Sequence, residues 1–368
     1  MKKNAEKNPR LGKVGGQAVM EGVMMRSPKQ MATAVRRTDD QTIVVRTQPS
    51  TTVRNKYKIL NLPFIRGIVN LVEMFLLSFS TLTASTEMMG LEEEMKAESE
   101  SKFDKWVEKH FGDSMLKVIS VIAMVFGVVL ALALFIALPA LITNLLFPED
   151  LKDDFWMNRL KCLVEGLTKV IIFISYLYLT SLMKEIKRVY MYHGAEHKTI
   201  FCYEAGLELN VENVRKQSRF HPRCGTSFMF VMVFLSILVS IAFIPDVWGW
   251  LRVLLKVLLL PLCVGLGYEF IRFAGNHDNL FVRICAAPGL WMQRITTREP
   301  DDEMIEVAIV ATKSALHDEF EDFEIPYESD YLKKKEEAAK EAEPQEKTQT
   351  DAQEEQADAG TGIQNETP

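Results

Sequence analysis

Three histidines, four glutamates and two cysteines fall between positions 193 and 224, and no other part of the chain gathers as many groups able to do chemistry. His193 and His197 are four residues apart in YMYHGAEHKTIFCYEAG (190–206), so on a helix both imidazoles leave the same face. That is the spacing for two nitrogen donors on one metal ion. Downstream, His221 and Cys224 stand two residues apart in SRFHPRCGTSF (218–228) and add a third nitrogen and a sulfur. An N/S set of this kind suits Zn²⁺. Glu196 lies between the first pair, and His193-Gly-Ala-Glu196-His197 fits the H-x-x-E-H pattern of inverted zinc peptidases. A zinc-bound water has a pKa near about 7, and Glu196 is placed in sequence to take its proton. Arg219 and Arg223 then serve to steady an anionic group or a developing oxyanion. Glu204, seven residues beyond His197, is a spare ligand or a group orienting one. In the competing reading, the histidines bind lipid headgroups or helix ends and Cys224 only packs.

The elements that must position these residues are membrane elements. A spanning helix needs about 20 mostly apolar residues. Four stretches qualify: 115–147, with Pro139 as a kink; 161–183; 226–244; and 248–273. Glu165 and Lys169 share a face of the second and are expected to pair or snorkel there. The charged residues lie near the span ends, which argues against a polar transport path. Lysine and arginine set the orientation. Residues 1–66 hold 14 of them and 184–223 hold 8, whereas 148–159 hold two beside four acids and 245–250 hold none. Both termini and the histidine segment (184–225) are therefore expected in the cytoplasm. The same basic loop could instead clamp phosphate or anionic headgroups.

The remaining segments read as follows. Residues 1–60 form a small β unit, with a hairpin turn at Thr38-Asp39-Asp40-Gln41 and a Gly15–Gly22 segment that lacks any phosphate-loop spacing. Residues 61–114 begin with an amphipathic helix over 62–85, capped by Asn61 and interfacial or re-entrant, and continue as a charged connector. Residues 115–273 are the membrane domain. In 274–331, 276–278 form a helix end, 288–300 a loop with a short helix, and 300–316 an amphipathic helix with Met304, Val307, Ala308, Ala311 and Ala315 on one face. Residues 332–368 are an acidic tail expected to be disordered: from Leu316 onward 17 acids face 5 lysines. The five scattered cysteines are no disulfide framework, and the N-terminus shows no signal-peptide core. No nucleic-acid signature is present.

Four blocks, VGGQAVMEGVMMRSP (14–28), HGAEHKTIFCYEAG (193–206), RFHPRCGTSF (219–228) and PGLWMQRITTREPDDEMIEVAI (288–309), resemble the YqhQ family of uncharacterised bacterial membrane proteins. The resemblance runs from about Gly12 to Leu316. It implies a domain of unknown function catalogued as a metal-dependent enzyme, in a bacterial cytoplasmic membrane, with no established substrate. Inverted zinc peptidases are less similar. Their third ligand is a distant glutamate, whereas here His221 or Cys224 would have to serve.

The expectation from sequence is thus an α-helical membrane protein with four transmembrane helices, a small cytoplasmic α+β part and an interfacial helix. Its expected function is zinc-dependent, hydrolytic chemistry on a lipid-linked or membrane-proximal substrate. His193, His197, His221 and Cys224 hold the metal, and Glu196, Arg219 and Arg223 are catalytic. The alternative is a membrane scaffold or regulator with a structural metal.

Overall fold

The computed structural model describes residues 9–89, 121–147, 155–245, 247, 249–276 and 279–324. The charged connector, the acidic tail, the acidic loop 148–154, and His277 and Asp278 lie outside these residues.

The chain opens with an antiparallel meander of four strands, β1 (Gly15–Val19), β2 (Gly22–Arg26), β3 (Gln30–Arg36) and β4 (Ile43–Pro49). Val19 pairs with Gly22, so Met20-Glu21 is a two-residue hairpin loop, and Glu21 has the positive φ (47°) that such loops require. The β3–β4 turn contains the expected Thr38–Gln41 segment, with Gln41 at φ 59°.

The helices are α1 (Ile65–Met88), α2 (Val121–Leu146), α3 (Phe155–Thr180), α4 (Lys184–Glu204), α5 (Gly225–Phe243), α6 (Gly249–Asn276), α7 (Leu280–Thr296) and α8 (Asp302–Ala315). A short turn, Val211–Arg215, lies between α4 and α5. Helix α8 closes the sheet by packing on β2, β3 and α4. Asp301 caps it by accepting from the Met304 amide at 2.8 Å, and Asp302 and Glu303 oppose the positive end of its dipole. The expected one-sided apolar stripe is corrected here: Met304 through Ala311 are all buried. Glu306 is buried too, and Arg36 of β3 meets it at 2.8 Å while also donating to the Gln41 and Glu303 carbonyls. A buried carboxylate is tolerated only when paired and hydrogen-bonded in this way.

Among the described residues, four helices, α1, α2, α3 and α6, are long and apolar enough to cross a membrane. Helices α2, α3 and α6 fall on three of the expected spans, and α1 joins them. Helix α1 is one unbroken helix of 24 residues, about 36 Å long, three residues downstream of the expected 62–85. Asn61 does not cap it: Phe64 occupies the cap position, at φ 65° and with no side-chain hydrogen bond. Gly67 lets α1 cross α6 closely, because a β-carbon there would lie 2.8 Å from Tyr268 and 3.1 Å from Gly265. Helix α5, with 19 residues, packs against α3, α6 and α7.

In α2 the residues Ala133–Ala137 form a π-turn just before Pro139. The proline ring would strike the carbonyl four residues back, at Phe135, and the wider turn relieves that clash. Two further expectations are corrected. Residues 288–296, expected within a loop with a short helix, complete one helix of 17 residues from Leu280, capped by Asn279, which accepts from the Val282 amide at 2.9 Å. Glu165 does not pair with Lys169: Arg252 and Lys256 of α6 claim it, and Lys169 donates to Ser236 of α5 at 3.2 Å.

Candidate metal centre

Helix α4 carries the site. Its i, i+4 spacing stacks His193 and His197 with ring centroids 4.4 Å apart. Both rings are oriented from behind by main chain. His193 Nδ1 donates to the Thr296 carbonyl at 2.8 Å and His197 Nδ1 to the Arg219 carbonyl at 2.5 Å. Carbonyl partners can only accept, so each ring carries its proton on Nδ1 and offers Nε2 as a ligand atom. Cys224, just before α5, brings Sγ to 3.2 Å from His193 Nε2. Ligand atoms of His193, His197 and Cys224 all lie within 4.8 Å of one another. Nitrogen and sulfur on one tetrahedral zinc would stand about 3.5 Å apart, given bonds of about 2.0 and 2.3 Å. The donor set and its spacing therefore fit zinc.

His221 lies beside this trio. Its ring centroid is 5.5 Å from that of His197, and Phe201 packs on it at 4.6 Å. Its Nδ1 accepts from the Arg223 amide at 3.3 Å, and its Nε2 faces Glu204 at 3.9 Å. Gln293 of α7 holds the His221 main chain from both sides, accepting from its amide and donating to its carbonyl, each at 2.8 Å. Burial lowers the His221 pKa below the ordinary imidazole value. Of the four ligands read from the sequence, the structure thus gathers His193, His197 and Cys224 and engages His221 alongside.

The two carboxylates of α4 have opposite environments. Glu196 is buried against β1, where a β-carbon on Gly16 would lie 2.9 Å from its Cγ. Burial pushes its carboxyl up to about 7, against the opposing effects of His193 and of a hydrogen bond from the Gly16 amide. Burial also raises Glu204, but hydrogen bonds from His221, the Gly12 amide (2.8 Å) and Arg223 prevail and hold it at about 2. Arg223 is therefore committed to Glu204. Arg219 contributes its carbonyl to His197, while its guanidinium donates to Thr297 O at 3.4 Å and lies over the Phe220 ring.

Two positioning residues were missed by sequence reasoning. Gln293 had one available signal, a lone amide among the apolar residues of WMQRI. Gly194 had none beyond its type. A β-carbon there would collide with the Arg298 carbonyl, and this close approach lets the Arg298 amide donate to Tyr190 O at 2.8 Å and brings Thr296 O to His193.

With this geometry described, the chain can be compared with known proteins. The model for the family described as "Protein of unknown function (DUF1385)" matches residues 62–318. The chain belongs to the DUF1385 family. It is also 35% identical over 309 residues to "Uncharacterized protein YqhQ" of Bacillus subtilis (strain 168), covering 82% of this chain and 92% of that protein. No solved structure matches. The DUF1385 match takes in α1 through α8, and with them every histidine and cysteine of the site.

Two outcomes are expected from this geometry. Gly194→Ala should separate α4 from the Thr296–Arg298 segment, at a cost of about 1–3 kcal/mol for the overpacked contact. A lower melting temperature, together with loss of the His193 Nδ1–H signal in NMR, would register it; unchanged values would show that the segment yields freely. The second outcome concerns Glu196 in metal-stripped protein. Its folded pKa, about 7, is above the ordinary glutamate value of 4.5, so the unfolded chain releases its proton first. Stability attributable to this group is whole below pH 4.5, falls as pH rises through 7, and is lost above that. Glu196→Gln should therefore gain up to about 3 kcal/mol over wild type at pH 8 and nothing at pH 4.5. A pH-independent difference in unfolding free energy would refute this.

Proposed function

We propose that this chain is a metal-dependent membrane enzyme, hydrolytic in type, acting at the cytoplasmic face on a lipid-linked or membrane-proximal substrate. The observation that carries the reading is the convergence of His193, His197 and Cys224, with both imidazoles fixed through Nδ1 to main-chain carbonyls. Three protein donors are the number found in catalytic zinc sites, whereas structural sites use four. Zinc, when bound, supplies Lewis acidity for activating water and polarising a substrate oxygen. Glu196, with its pKa near 7, is poised to accept or return a proton at neutral pH. Arg219 remains the candidate for an anionic substrate group, because Arg223 is held by Glu204. Glu196's engagement with the Gly16 amide favours a second reading, a scaffold in which His221 completes a structural zinc site.

Metal analysis of purified protein decides between these readings. The enzyme reading expects one transition metal per chain, lost in His193→Ala and kept in His221→Ala. Glu196→Gln should keep the metal yet abolish complementation of a deletion strain. Loss of metal in His221→Ala, with Glu196→Gln still complementing, would establish the scaffold. Absence of stoichiometric metal from the wild type would end both.

The orientation is proposed from the lysine and arginine distribution, with both termini in the cytoplasm of a bacterial cell. A cysteine placed at 154 should react with an impermeant thiol reagent on intact cells, and one at 210 should react only after lysis. Reversed labelling would overturn the orientation.

A further inference from the structure

A cavity of about 350 Å³ lies where the first hairpin meets α1, outside the metal centre. Gly12, Lys13, Gly15, Arg26 and Ser27 line it from the sheet side, and Met74 lines it from α1. The strand register explains why it exists. Gly15 pairs with Arg26 and Gln17 with Met24, so these positions share one face of the sheet, while Gly16 and Met25 share the other. The first face meets α1: Ser78 donates to Gln17 Oε1 at 2.6 Å, and Arg26 Nη1 reaches Met74 Sδ at 3.9 Å. The second face meets α4, where the Gly16 amide reaches Glu196. Gly15 stands directly across from Arg26, where a side chain would lie against the arginine. A β-carbon on Gly15 would meet nothing within 4 Å, so the missing side chain leaves both the space and the guanidinium open.

Arg26 gives this cavity its chemistry. Its Nε donates to Ser50 Oγ at 2.9 Å, and its Nη1 contact is the Met74 thioether, so both partners are neutral. Among the described residues no carboxylate pairs with it. Lys13 is 42% exposed, and its 2.9 Å ion pair with Glu319 is of the solvent-exposed kind that contributes little to stability. It can turn to an anion in the cavity at small cost. The far side of α1 indicates where such an anion comes from. Met74, Ser78 and Met88 touch the sheet, while Val72, Phe75, Leu76 and Phe79, on the opposite side of the helix, are exposed. An exposed apolar stripe of this kind is what a membrane-bound helix turns to lipid. The cavity wall and the stripe are neighbours in sequence, Met74 and Phe75. We infer that this cavity binds the phosphate of an anionic membrane lipid, with Arg26 as a forked donor and Lys13 as a second charge. The bound headgroup lies against backbone that also serves the metal centre, since the Gly12 amide donates to Glu204 at 2.8 Å and the Gly16 amide to Glu196. The inference rests on the membrane part of the function proposed above and not on its metal.

The test follows thermal unfolding of the full chain in a nonionic detergent while short-chain phosphatidylglycerol is added. Parallel titrations use diacylglycerol with the same tails, which lacks the phosphate, and inorganic phosphate, which lacks the tails. A saturable rise in melting temperature is expected with phosphatidylglycerol, at a midpoint well below those of the other two. Arg26→Gln should raise that midpoint about tenfold or more, as loss of one charge-assisted hydrogen bond predicts, and Arg26→Lys should recover part of it. Gly15→Leu keeps every charge and fills the cavity instead. Its β-carbon has free space, so it should fold and melt as wild type does without lipid, yet respond as weakly as Arg26→Gln. No response of the wild type to phosphatidylglycerol, an equal response to diacylglycerol, or an unaltered midpoint in both Arg26→Gln and Gly15→Leu overturns the proposal. A response to inorganic phosphate at the same midpoint overturns its assignment to lipid. Recovery of the chain from the soluble fraction of expressing cells would instead overturn the membrane reading, so the two failures are distinct.

Discussion

The carbonyl of Arg298 occupies the space that a side chain at position 194 would need, and much of the site's geometry depends on that one approach. It ties the segment after α7 to the middle of α4. Through that tie, Thr296 presents its carbonyl to His193. The same tie sets the end of α7, so that Gln293 reaches His221 and holds the turn leading to Cys224. Donors more than 30 residues apart in sequence thus converge because a glycine sits between two side chains that need a helix face. The two imidazoles are pre-oriented by main-chain carbonyls, which are harder to displace than side-chain partners. That is the arrangement expected of groups that must keep one tautomer.

The helical bundle solves a different electrostatic problem. In the sheet and α8, Arg36 and Glu306 match one cation to one carboxylate, and Arg36 donates as well to two main-chain carbonyls. In the bundle, one carboxylate, Glu165, meets two cations, Arg252 and Lys256 of α6. A low-dielectric interior strengthens both arrangements. Phe173, Leu177 and Met292 pack in one apolar layer, and Met292 is the immediate neighbour of Gln293. A single helix, α7, therefore borders both the histidine cluster and this apolar layer of the bundle.

Local features of the sequence were the legible ones. The histidine spacing, the Asp301 cap, the β3–β4 turn and the hydropathy of the long helices depend on neighbours within a few residues, and each has its counterpart in the structure. Helix α1 was read as interfacial or re-entrant because Arg66, Asn70 and Glu73 interrupt the apolar run of its first half. In the structure Glu269 answers Arg66, and Arg54 donates to Asn70 at 3.2 Å. Its polar residues are thus satisfied by parts of the chain that sequence spacing cannot place beside it. The Glu165 partner was misassigned for the same reason: Lys169 is four residues away on the same helix, but Arg252 and Lys256 lie more than 80 away and win through burial. The second half of α7 was read as part of a loop with a short helix, because Pro288 and Gly289 look like breakers, yet Pro288 falls within the continuous helix Leu280–Thr296.

The contrast between Glu196 and Glu204 carries the functional reading further than the ligand count alone. Both belong to α4, two turns apart, and both are buried. Glu204 receives a backbone amide and a guanidinium, so its charge is fully answered and it titrates at about 2. It is a structural anion that fixes Arg223 and faces His221. Glu196 receives one backbone amide, lies under Gly16 and Met25, and titrates at about 7. A carboxyl buried this incompletely answered costs stability, and a chain selected for stability alone would place an apolar residue there. Pairs of acids whose surroundings drive their proton affinities apart are how one scaffold assigns one group to structure and another to proton transfer. That contrast is what supports the proposal of Glu196 for proton transfer, with Glu204 in the framework.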